Sequence, residues 1–144
     1  MSREPKYKEQ GSVLMLMPAA VLIVLLLGSI AVDFSIVFMA ERELVSAAAA
    51  AANDAATAGV DQEVLRTTGN FVLDPAAVER VVGESLAARD SRLLDGADWD
   101  VAVVGNQVRV TVVSRAPYLF AKAIPGAADD AEVSATASAD AAVR

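Results

Sequence analysis

Twenty consecutive residues, Val13 to Val32 (VLMLMPAAVLIVLLLGSIAV), carry no charge. At ~1.5 Å per helical residue they span ~30 Å, the hydrocarbon thickness of a bilayer. The helical pattern continues past the apolar run. From Asp33 to Ala58 there is no Gly and no Pro, only good helix formers and the alanine run Ala47–Ala52. The simplest arrangement is a single helix of roughly 45 residues, half in lipid and half in water.

Charge orients this helix. Arg3, Lys6 and Lys8 precede the apolar run, and only Arg42 follows it closely. The basic end is therefore expected to stay in the cytoplasm and the C-terminal body to face outward. From Asp33 onward there are 9 basic and 17 acidic residues, a net charge of -8. Such a body suits neither a nucleic-acid ligand nor an anionic membrane surface. The chain has no cysteine, so residues 60–144 must fold on apolar packing alone. So small a core is marginal unless the water-facing half of the helix contributes to it. A cleaved secretory signal is the competing reading, because Ser29-Ile30-Ala31 offers small residues at signal-peptidase spacing. Two features favour a retained anchor: the apolar run exceeds a usual signal core, and no helix breaker follows it.

The segment 33–59 is amphipathic. At 100° per residue, Phe34, Val37, Phe38, Leu44, Val45, Ala48, Ala51, Ala52 and Ala55 share one arc, the expected helix-packing surface. It is aromatic and branched near the membrane and nearly pure alanine further out, so a neighbouring sheet or helix can approach closely. Glu41 falls within the arc, where a solvated edge position accounts for it. Asp33 reads as the first interfacial residue leaving lipid, with a polar contact between packed helices as the alternative.

Gly59 ends the helix, and Val60–Leu73 reads as a connector with a turn at Thr67-Thr68-Gly69-Asn70. A second helix follows. Asp74 suits its N-cap and Pro75 its first turn, and Val78, Val81, Val82 and Leu86 form a buried face up to about Asp90. Gly83 weakens this helix by ~1 kcal/mol relative to Ala unless it marks a close contact. The apolar period then changes to 2. Trp99, Val101 and Val103 alternate with polar or small residues, as do Val108, Val110 and Val112, around a two-residue turn at Gly105-Asn106. This predicts a hairpin pairing Val103 with Val108, Val101 with Val110 and Trp99 with Val112, all on one face. A Pro-bounded apolar turn of helix, Pro117–Pro125, precedes a third strand in which Val133, Ala135, Ala137 and Ala139 alternate with Ser134, Thr136 and Ser138. Its partner, the first or the second strand, stays open. The fold class is α+β: a long N-terminal transmembrane helix entering a small domain with a second helix and a three-stranded antiparallel sheet, packed on both helices.

The inventory suits structure better than catalysis. With no His and no Cys, Ser-His-Asp, Cys-His and ordinary zinc sites are excluded. A Ser-Lys pair would have to use Lys122, the only lysine beyond the span, which sits in a packed turn. Asp95, Asp98 and Asp100, with Asp129-Asp130, supply oxygen donors of the type calcium takes, but not at EF-hand spacing. A solvated acidic edge accounts for them. No catalytic residue, cofactor, metal or small-molecule substrate is expected.

At the other end, a short charged leader closes at Gly11-Ser12, just before the apolar run. This resembles the junction cut by a prepilin peptidase after Gly. The glutamate that pilin-like helices carry five residues into the mature chain is replaced by Leu16. More broadly, Gly11-Ser12-Val13, the span closing in Ile30-Ala31-Val32-Asp33, and Ala40-Glu41-Arg42-Glu43-Leu44 with its alanine run resemble the TadE/TadG-like pilus-assembly family of the Tad (Flp-type) machinery. The likeness covers Gly11–Gly59, and Leu16 makes this segment look more like the TadG-type members. The resemblance implies a pilin-like structural component acting by helix packing, with other pilin-like or Tad assembly proteins as hetero-oligomeric partners and a prepilin peptidase as a processing enzyme. The expected organisation is a cytoplasmic leader (1–12), a transmembrane helix (13–32), an extracytoplasmic extension (33–59) and a small extracytoplasmic domain (60–144), single-pass in the cell membrane or in a pilus. A reading of another class, a membrane-tethered binding or sensing module, requires a concave pocket with converging polar groups.

Overall fold

A computed structural model describes residues 10–141. The leader expected at residues 1–12 thus lies largely outside the described residues, although Gly11 and Ser12 fall in the first turn of the helix α1, Gln10–Ala58. α1 is unbroken over 49 residues. Among the described residues it is the one helix long and apolar enough to cross a membrane. Nothing among the described residues covers its apolar side chains from Leu16 to Leu27. The helix runs through Ser29–Ala31 and Asp33 without interruption and ends at Gly59, whose N–H donates to the Ala55 carbonyl at 2.8 Å.

The connector expected over 60–73 is instead folded. Gln62–Thr68 forms a seven-residue helix, α2, whose N-cap Asp61 accepts the N–H groups of Glu63 (2.9 Å) and Val64 (3.1 Å) through Oδ1. Gly69 ends it in the left-handed region at φ 71°. A bridge between Val60 and Leu73, both buried, closes the segment onto the core. α2 has no buried residue, so it lacks the apolar period that reveals a helix. Only its two caps could have signalled it.

The next helix, α3, spans Pro75–Ala87, with Asp74 accepting the Ala76 N–H at 3.1 Å and Pro75 in the first turn. Val78, Val82 and Leu86 are fully or almost fully buried and Val81 partly so. α3 runs antiparallel along the outer part of α1. Val78 lies against Gly59, Ser85 Oγ donates to Asp54 Oδ2 at 2.6 Å, and the Arg89 guanidinium donates to the Ser46 carbonyl at 3.4 Å.

Three strands complete the chain: β1 (Asp98–Val104), β2 (Gln107–Pro117) and β3 (Asp130–Asp140), antiparallel in the order β1-β2-β3. The hairpin register is the expected one, with Val103 opposite Val108, Val101 opposite Val110 and Trp99 opposite Val112. Gly105 opens its turn at φ 62°, the backbone region a type II′ turn requires at its first central position. β3 pairs with β2, placing Ala139, Ala137, Ala135 and Val133 beside Val108, Val110, Val112 and Ser114. The valines of the central strand thus face the small residues of the edge strand, and α1 lies across β2 and β3 on that face. α3 lies next to α1 and touches β1. On the other face Thr111 and Thr136 share a hydrogen bond of 3.0 Å, and Arg109, Ser134 and Ser138 are exposed.

Helix α1 corrects the expected packing arc. Leu44, Ala48, Ala51, Ala52 and Ala55 are fully buried, together with Ala47, and Val37 is half-buried. Phe34 is 73% exposed, Phe38 59% and Val45 54%. At the base of the domain the buried stripe runs through Asp33, Val37, Ala40 and Leu44, rotated by roughly 60° from the expected centre at 100° per residue. α3 and the loop after it meet α1 on the side of Asp54, Ser46 and Glu43, across the helix from Phe34, Phe38 and Val45 at 100° per residue. Phe34, Phe38 and Val45 are thus left outside. The alanine stripe therefore serves the chain's own core and is closed to partners. Glu41, on the same outward stripe, is exposed.

Candidate functional site

The structure gathers its most constrained polar contacts where α1 leaves the apolar run. Asp33 is 7% exposed, the one buried charged side chain among the described residues. Its Oδ1 accepts the backbone N–H groups of Leu119 (2.8 Å) and Phe120 (3.0 Å), and its Oδ2 accepts that of Ala121 (2.8 Å). The three donors are consecutive because residues 118–124 turn sharply after the end of β2. The turn contains a one-turn 3-10 helix, Ala121–Ala123, whose leading N–H groups have no partner within the turn itself. One carboxylate supplies all three.

The turn is bonded internally as well. Tyr118 N–H donates to the Asp129 carbonyl at 3.0 Å, Ala123 N–H to Phe120 at 3.0 Å and Ile124 N–H to Ala121 at 2.9 Å. The partner of Asp33 is thus the backbone of this turn and not the side of a packed α-helix. Asp33 moors the β2–β3 connection to the foot of α1. Burial is the largest single influence on its carboxyl and raises the pKa. The N–H groups of Phe120, Leu119 and Ala121, with the positive charge of Lys122, act the other way and leave it below the ordinary aspartate value. The surrounding N–H groups thus favour the charged carboxylate, which serves for positioning.

Around this mooring lies an apolar concavity of about 240 Å³ lined by Ile30, Asp33, Phe34, Val37, Tyr118 and Ala121. Leu119, Phe120 and Ile124 are exposed beside it, at 51%, 45% and 57%. Four of the chain's seven aromatic residues, Phe34, Phe38, Tyr118 and Phe120, belong to this junction or the turn of α1 above it. Arg42 sits over the Phe38 ring, 5.9 Å from its centroid.

The remaining residues singled out in the sequence do not converge. Asp98 and Asp100 lie on the outer face of β1, exposed, and no three acidic side chains among the described residues are placed to hold a metal ion. Lys122 is exposed on the 3-10 turn. Gly11 and Ser12 sit in α1 about 20 residues below Asp33, far along the rod from the domain. Sequence reasoning noticed Asp33 but not its role, since its ligands are backbone groups 86 to 88 residues away. The available signal was a buried-type acid facing an apolar turn bounded by Pro117 and Pro125. Comparison with known proteins found no matching family model, no matching curated protein and no matching solved structure.

Proposed function

We propose that this chain is a single-pass, N-in membrane protein acting as a pilin-like structural component of a Tad-type pilus assembly or secretion machine. The observation that carries this reading is α1 itself. One unbroken helix presents bare apolar side chains along its first half and is built into the core of a small α+β domain along its second. α1 also runs through the candidate cleavage residues Ser29–Ala31 without a break, with no turn or extended segment there. The TadE/TadG-like segment over Gly11–Gly59 supports the assignment to pilus assembly.

Function would then lie in lateral helix contacts. With the alanine face closed by the chain's own sheet and α3, the free surface of the rod above the membrane is the outward stripe of Phe38 and Val45, interrupted by Glu41. Partner helices of the assembly are expected there. Replacing Phe38 and Val45 together by Ser should leave the domain folded, since neither is in its core, and should reduce recovery of pilus-assembly partners from detergent-solubilised membranes. Unchanged co-purification and unchanged piliation would remove this stripe from the interface. The reading as a whole is tested by alkaline extraction, protease accessibility and the mass of the mature chain. A carbonate-resistant protein with an externally cleaved C-terminal domain is expected. A soluble product beginning near Val32 would overturn it.

A further inference from the structure

We propose that the 118–125 turn is a membrane-contact element, seating Leu119, Phe120 and Ile124 in the lipid headgroup layer beside the point where α1 emerges. The inference rests on α1 being a retained anchor, and adds to it a second attachment of the domain to the same bilayer.

Position is the first argument. Asp33 is the residue immediately after the uncharged run that would fill the hydrocarbon. Its carboxylate holds the backbone of Leu119, Phe120 and Ala121 at 2.8–3.0 Å. The turn is therefore fixed at the level of the first residue outside the apolar core, and the headgroup layer is ~5–8 Å thick on each side. β2 and β3 run away from this level toward Gln107 and Asp140, so the turn is the foot of the sheet.

Chemistry is the second. Leu119, Phe120 and Ile124 are all about half exposed or more, a costly arrangement in water for three large apolar side chains on one turn. Tyr118 and Phe34 flank the concavity between the turn and α1, and aromatic side chains favour the headgroup level. Between Arg115 and Asp129 the only charge is Lys122. In a body of net charge -8 this stretch is free of carboxylates, and its lone ammonium suits a lipid phosphate. The acidic remainder explains why the contact would be confined to this turn.

The chain has no cysteine, so single cysteines introduced at chosen positions accept a thiol-reactive NBD fluorophore without competition. The full chain is labelled at Phe120→Cys, at Ile23→Cys in the apolar run and at Glu79→Cys on exposed α3. Each is reconstituted in vesicles of phosphatidylcholine and phosphatidylglycerol, with and without nitroxide-bearing lipid. The expected result is blue-shifted emission and strong nitroxide quenching at 120 and 23, and neither at 79. Label at 120 resembling label at 79, while 23 is quenched, overturns the inference and leaves the anchor standing. Blue-shifted but unquenched emission at 120 means burial against protein, a second copy or a partner, and also overturns it. An unquenched label at 23 removes the anchor and the inference with it. Because Phe120 is outside the core, a second labelled variant, Ile124→Cys, should follow the 120 result if the turn docks as a unit.

Discussion

Single residues at the foot and at the top of the domain set its geometry. At the foot, the Asp33 carboxylate satisfies three consecutive backbone N–H groups that no other group in the turn can satisfy. Asn in its place keeps one acceptor oxygen and turns an N–H₂ toward donors, so Asp33→Asn should loosen the turn. The measurement is amide exchange: Leu119, Phe120 and Ala121 should lose protection while the β2–β3 ladder keeps it. The sign of the pH dependence follows from the lowered pKa. A carboxyl whose folded pKa lies below its unfolded value stabilises the fold above the unfolded pKa, and the contribution disappears as pH falls through the folded value. The gap in melting temperature between the native chain and Asp33→Asn should hold constant from neutral pH down to about pH 4 and close below it. A gap unchanged at pH 2 would mean that the carboxylate is not the mooring. At the top, two glycines make opposite predictions. A Cβ on Gly59 would lie 2.5 Å from both the Ala55 carbonyl oxygen and Val78 Cγ2, so Gly59→Ala must push α3 away from α1. A loss of about 1–3 kcal/mol in denaturant unfolding is expected. A Cβ on Gly83 would meet Trp99 Cζ2 at 3.5 Å, an ordinary contact, while gaining helix propensity. Gly83→Ala should therefore stabilise, by up to about 1 kcal/mol.

At the scale of elements, what could be read from sequence is what local pattern controls. The β1–β2 hairpin is legible because turn length and apolar face each specify a register, and the two agree on Val101 opposite Val110. α3 is legible from Asp74, Pro75 and its valine spacing. The packing face of α1 is legible only in its outer part. An arc read at 100° per residue gives the apolar side of a helix but not which part of it the fold covers, and Phe34, Phe38 and Val45 are left uncovered. The role of Asp33 was hidden for a related reason: its partners are main-chain groups brought close only by the sheet. The alanine stripe carries the matching prediction. Ala48 and Ala52 have no exposed surface, so a Leu at either position has to displace the valines of the sheet or of α3. Each single substitution should cost about 1–3 kcal/mol of domain stability, while membrane integration, which depends on residues 13–32, stays unchanged. Loss of assembly in such a variant would then report an unfolded domain and not a lost partner contact, which the outward Phe38 and Val45 test separately.

For the whole molecule, the decisive relation is that the domain has no complete core without the helix that carries it. Of the 21 buried apolar side chains among the described residues, eight lie on α1 between Ala40 and Ala56. Remove that segment, and the inner faces of the sheet and α3 lose the surface they are packed on. The valines Val108, Val110, Val112, Val78 and Val82 would then face water. A fragment of 60–144 should therefore fail to fold, with no cooperative melting transition and collapsed dispersion of its amide resonances. A fragment of 33–144 keeps both the α1 stripe and Asp33, and should fold cooperatively in water with its helix intact up to Ala58. The contrast separates two designs. If the domain were an independent unit on a passive stalk, both fragments would fold alike and α1 could bend at its exit from the bilayer without consequence. If the rod is part of the core, only the longer fragment folds, and any tilt of the apolar half of α1 moves the whole domain rigidly with it. Circular dichroism and thermal melts of the two fragments decide the matter: equal stability would separate stalk from domain. The expected all-or-none difference means that the sheet and α3 are carried by the same helix that forms part of their core.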